Sequence, residues 1–122
     1  MKQLMSVIGA VGILLIGMMT GFSQNTDFTE ENFPGKEERL KEAQSKIKKG
    51  DVLFKAGAQM YNRALENYVK ANDFNPENAD LNYKIGVCYL HSSFKQKAIP
   101  RLEKARKLNS DVNDKLYYYL GR

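Results

Sequence analysis

Ala64-Leu65-Glu66-Asn67-Tyr68-Val69-Lys70-Ala71 returns 34 positions later as Ala98-Ile99-Pro100-Arg101-Leu102-Glu103-Lys104-Ala105. The register continues beyond both segments, where Phe74-Asn75 falls on Leu108-Asn109. In each copy alanine, a bulky residue and alanine recur at steps of four and three, the spacing of one face of an α-helix. A repeat of this length marks units that bury their apolar faces only against their neighbours, a helical solenoid. It therefore predicts an all-α fold and points to binding rather than catalysis.

Working outward, Leu40, Ala43, Ile47, Gly50 and Phe54 keep the helical spacing and predict a helix from Lys36 to a turn around Gly57. A second helix is expected from about Met60 to Asn72, with Ala64, Leu65, Tyr68 and Ala71 inward. Asn75-Pro76 stops it, because proline disfavours helical geometry in the residue before it. Leu81, Ile85, Cys88 and Tyr89 form the buried stripe of a third helix, Asn78 to His91, and Ser92-Ser93 is its turn. The fourth spans Lys95 to Leu108, with Ala98, Leu102 and Ala105 inside. Pro100 predicts a late start or a slight bend there, since it removes one backbone donor. After Asn109-Ser110-Asp111 a fifth helix is expected from near Val112, including Leu116, Tyr119 and Leu120. It shows no stop signal before Arg122, so the expectation is a longer parent protein.

The first residues read differently. Lys2 supplies a positive start, Leu4 to Met19 is almost wholly apolar, and Gly21-Phe22-Ser23 places small residues before a potential cut. Residues 1–23 thus have the layout of a secretory signal peptide, cleaved after Ser23 or Gln24. A retained anchor is the alternative, but the run is short for a full span, which needs about 20 residues. Residues 24–35 are polar and aperiodic and read as an exposed linker, with Phe28 and Phe33 able to pack back onto the first helix or to hang free. What remains, 36–122, is one small helical array. The formal charge of +5 is too mild to argue for nucleic acid. Cys88, the only cysteine, precludes an intrachain disulfide and on an apolar helix reads as a buried thiol.

The residues just quoted resemble the tetratricopeptide repeat (TPR). Ile85, Gly86 and Tyr89 fit the first helix of that pattern, and Ala98, Leu102 and Ala105 the second. Gly50, Ala64, Tyr68, Ala71 and Pro76 fit the preceding repeat, and Leu120-Gly121 begin a third. Ser110 stands where the family prefers proline. Lys48, Asn82 and Tyr117 stand where it prefers tryptophan, and the glycines are spaced by 36 and 35. The resemblance implies antiparallel hairpins stacked as a short right-handed solenoid, of about two full repeats plus the first helix of another. Together with the leader, the segments KKGDVLF, NPENADLNYKIGVCYL and DVNDKLYYYLGR look like the N-terminal part of a group of envelope proteins. In that group a TPR segment precedes a β-propeller, a β-sandwich and an OmpA-like peptidoglycan-binding domain. Some members serve type IX secretion and gliding. The resemblance implies a periplasmic protein associated with the outer membrane, touching peptidoglycan only through domains outside this sequence.

The residues bring no catalytic constellation together. His91 and Cys88 are the only members of their kinds, a nucleophile and base need an orienting third group, and a metal site needs three or four ligands. No enzyme, cofactor or small-molecule substrate is expected. The TPR resemblance implies a concave protein-binding groove lined by the first helix of each repeat. Carried over by position, it includes Asp80, Tyr83, Lys84, Val87, Leu90 and His91, then Lys115, Tyr118 and Arg122, extended by Ile47, Asp51 and Phe54. The tyrosines are either contact residues or inter-repeat packing. Both readings stand for Tyr83 and Tyr118, whereas Tyr117 and Tyr119 read as packing. The family's clamp for chaperone C-terminal carboxylates wants lysine and asparagine where Tyr83 and Val87 stand, so that ligand is not expected. Lys97, Arg101 and Lys104 make a basic stripe on the outer face, either solvated or attractive to an acidic partner or anionic head groups. The leading expectation is an exported scaffold or adaptor for a protein or peptide segment. The alternative is a structural spacer that docks onto other domains of its own chain.

Overall fold

The computed structural model describes residues 24–121, which contain five α-helices and no strand. The leader (1–23) and Arg122 lie outside the described residues. We number the helices α1 (Glu37–Lys55), α2 (Tyr61–Phe74), α3 (Ala79–Leu90), α4 (Ala98–Leu108) and α5 (Leu116–Leu120). Short 3-10 turns, Ala58–Met60 and Lys95–Lys97, lead into α2 and α4. Among the described residues no helix is long and apolar enough to cross a membrane.

Each helix begins and ends for a local reason. Glu37 and Glu38 open α1 and Lys55 closes it, matching the helix dipole. Asn75 is extended ahead of Pro76 and ends α2 at Phe74. Asn78 caps α3, its side-chain oxygen accepting from the Leu81 amide at 3.0 Å. The fourth helix does start late. Lys95–Lys97 is a 3-10 turn, and Pro100 falls in the first turn of α4, where a missing N–H leaves no bond unmade. The fifth helix starts later than expected, at Leu116 rather than near Val112. Asn109 and Asn113 accept the amides of Asp111 and Lys115, and these two side-chain turns hold the backbone out of helix. Gly121, left-handed at φ 74°, ends it with its amide on the Tyr117 and Tyr118 carbonyls.

The most extensive packing joins α1 to α2 and α3 to α4, with α2 on α3 and α4 on α5 between them, so the substantial contacts link sequence neighbours. Two apolar clusters result. Ala43, Ala64, Tyr68, Ala71, Leu81, Ile85 and Cys88 unite α1, α2 and α3. Tyr83, Val87, Leu102, Ala105 and Leu116 unite α3, α4 and α5. Two glycines set the closeness of the pairs. A Cβ on Gly50 would meet the Tyr68 ring at 2.5 Å, and one on Gly86 would meet Leu102 at 2.7 Å.

The segment read as an exposed linker is largely exposed, and residues 24–35 are laid against the helices, with Phe28 and Phe33 packed rather than free. The Thr26 amide donates to the Glu77 carbonyl at 2.7 Å, and the Thr26 carbonyl accepts from Asn75 and Asn78. Asn25 accepts the first amide of α3 at 2.7 Å. Phe28 packs on the first cluster, its carbonyl held by Gln44, and the Phe33 ring lies 4.7 Å from that of Phe74. Polar composition concealed this, because the Asn25 and Asn32 side chains here bond to backbone.

Candidate protein-docking face

Asp80, Tyr83, Lys84, Val87, Leu90 and His91 follow helical spacing and share one side of α3. The structure divides them by depth. Tyr83 and Val87 are buried, at 5% and 2% exposure, because Leu102, Ala105 and Leu116 close over them. Lys84 and Leu90 are half-buried, and Asp80 and His91 are exposed. Lys115 is also exposed, and Tyr118 at 78% is the most exposed large apolar residue of the chain's described part. Tyr83 is therefore packing, whereas Tyr118 is free to touch a partner.

Aromatic rings run across this side. Phe54 of α1 stacks on Tyr61 at 4.8 Å, and Tyr61 meets His91 edge-on at 5.1 Å. Farther along, Tyr119 covers Tyr83 at 6.3 Å and itself touches Tyr118 at 5.4 Å. Such rings give large contact area for little ordering entropy. Tyr61 joins the row although no signal in the sequence selected it, since its repeat partner 34 positions on is Lys95. Ile47, expected as an extension of the face, instead lines a hollow with Phe28, Gln44 and Lys48.

Beside the rings lies a polar network. Lys84 binds Asp51 of α1 at 2.9 Å and Asp80 at 2.8 Å. The Tyr68 hydroxyl donates to the same Asp51 oxygen at 2.6 Å. Burial pulls the Lys84 ammonium down, but its hydrogen bonds to Asp80 and Asp51 outweigh this and the net shift is upward. Burial, followed by the Asp51 bond, raises the Tyr68 hydroxyl. Burial raises Tyr61 as well and pushes Tyr83 up to about 12. These shifts all favour the protonated form, so each group keeps its proton at neutral pH. His91 has its Nδ1 3.0 Å from the Val87 carbonyl at the end of its own helix. Cys88 is fully buried, and burial pushes its thiol up to about 12.

The basic stripe separates into three environments. Lys97 is exposed, its ammonium over the rings of Phe94 at 5.1 Å and Tyr89 at 5.8 Å. Lys104 pairs with Glu77 at 3.4 Å. Arg101 turns inward and donates to Asn72 of α2 at 2.8 Å and Asn82 of α3 at 3.3 Å. It locks the two helix pairs together rather than facing a partner. The sequence reading missed this seam, because spacing along α4 cannot reveal that a charged residue has buried amides opposite it.

Comparison of the chain with protein-family models, curated proteins and solved structures found no match.

Proposed function

We propose that this protein is an exported TPR-type scaffold that docks a protein or peptide segment on the face formed by α1, α3 and α5. Paired helices packed on sequence neighbours, with glycine opposite Tyr68 and Leu102, support reading the array as a short right-handed solenoid of TPR hairpins. The observation that carries the docking role is the two ring groups, Phe54–Tyr61–His91 and Tyr83–Tyr119–Tyr118, open at His91 and Tyr118. A partner aromatic or aliphatic side chain placed on such a surface loses water contact without requiring the face to reorder. The apolar leader supports export to the periplasm, and the outer-membrane, peptidoglycan-linked setting comes from the resemblance to the envelope group.

A photoreactive side chain at position 118, introduced in cells, tests this reading. Cross-linking to one distinct protein, absent when the probe stands at the exposed Val52, is the expected result. Cross-links only within the same chain would instead establish the spacer role. Equal labelling at 118 and 52 would remove the docking face altogether. N-terminal sequencing of the mature protein should begin at Gln24 or Asn25 if the leader is cleaved.

A further inference from the structure

The antiparallel helices sort charge between the two ends of the molecule. Phe54 against Tyr61, Tyr61 against His91 and Lys97 against Tyr89 bring both helix-pair turns to one end. That end holds Lys55, His91, Lys95 and Lys97. Neither 55–60 nor 81–102 contains an aspartate or glutamate. On the opposite side Glu37, Glu38, Asp73, Glu77, Asp111 and Asp114 lie at helix ends and turns beside Lys36, Lys107 and Lys115, so that side carries both signs. The result is a charge asymmetry along the helix axes, basic at the turns.

The second turn also carries apolar side chains outward. Every residue from Phe94 to Ile99 except Ala98 is exposed, with Phe94 at 53% and Ile99 at 44%. Looseness does not explain this. Ser92 Oγ donates to the Tyr89 carbonyl and accepts the Phe94 amide, and the Lys97 amide closes on the Phe94 carbonyl at 3.0 Å. These bonds fix the turn that presents Phe94, whose ring lies under the Lys97 ammonium at 5.1 Å.

We infer that this turn end is a docking surface for an anionic lipid bilayer, with Phe94 and Ile99 entering the headgroup layer and Lys95 and Lys97 meeting lipid phosphates. The charge complementarity is built into the end as a whole, and the long-range asymmetry would orient the molecule before contact. Exposed apolar residues flanking two lysines suit an interface that is charged outside and apolar just beneath. An acidic protein would also engage the lysines, but the short turn offers it no groove, whereas a bilayer takes up Phe94 and Ile99 just beneath its charged surface.

The chain has no tryptophan, so Phe94→Trp introduces a single reporter at the tip. The full chain is mixed with phosphatidylcholine vesicles, with or without phosphatidylglycerol, containing brominated acyl chains as quenchers. The leader is present in every sample, and the readout is local to position 94. Quenching should be at least about fivefold stronger on the anionic vesicles, the factor for one lysine near such a surface. Lys95→Gln with Lys97→Gln should abolish that difference while the circular dichroism stays unchanged. Tyr118→Trp, which reports from the docking face, should show no preference. An indole that stays in water on both vesicles, equal quenching on both, or equal quenching from position 118 would each overturn the inference. A blue shift with soluble polyglutamate but not with vesicles would also overturn it and assign the end to an acidic protein.

Discussion

The first and second helix pairs use the same backbone device with different chemistry at its centre. In α1–α2 a tyrosine fills the space opposite glycine, Tyr68 against Gly50. In α3–α4 a leucine does so, Leu102 against Gly86. Leucine completes its burial with apolar contacts alone. Tyrosine brings a hydroxyl that must be satisfied, and Asp51 satisfies it at 2.6 Å while also holding Lys84. The first pair is thus tied to α3 through a polar network, and the second is tied back to α2 through Arg101. The lesson is that one repeat pattern fixes how closely helices approach, while the residue filling the gap decides which charges gather around it.

Truncating the two central residues is the strongest way to break that comparison. Tyr68→Ala should destabilise by about 3–5 kcal/mol and Leu102→Ala by about 2–5 kcal/mol, read from urea unfolding. A cost near zero for either would mean that the seam is not a packed core. The Arg101 lock comes next. Arg101→Ala should cost about 2 kcal/mol, since it leaves Asn72 and Asn82 without their charged donor. Asn67→Ala, at the equivalent position of the first pair, bonds only the Arg63 carbonyl and should stay within about 0.5 kcal/mol.

Gly50→Ala and Gly86→Ala should each cost about 1–2 kcal/mol, overpacking being offset in part by alanine's better helix propensity. Equal stability of either variant would show that the facing side chain yields without strain.

Alkaline titration separates the pairs least but tests both burials. Burial pushes Tyr83 up to about 12 from an ordinary 10.0, and Cys88 up to about 12 from 9.0. Tyr68 is raised in the same direction. A raised folded value contributes stability that is complete below the unfolded value and is lost as pH rises through the folded one. The melting temperature should hold below about pH 9 and fall between about 9 and 12. Tyr68→Phe should shed part of that fall at a cost of about 1 kcal/mol at neutral pH. A melting temperature flat to pH 12 would contradict the burial of all three groups.

Helical spacing in the chain was enough to determine five helices and the inward alanines, because these depend on local periodicity. Proline and asparagine at Asn75-Pro76 and Asn78 marked boundaries for the same local reason. Only tertiary structure decided which candidate side chains stay outside. Tyr83 and Tyr118 have the same chemistry, yet Leu102 and Leu116 bury one and nothing among the described residues covers the other to the same extent. It also turned Arg101 inward and docked residues 24–35. Burial and long-range pairing depend on what a neighbouring helix brings opposite, and one-dimensional spacing carries no record of that.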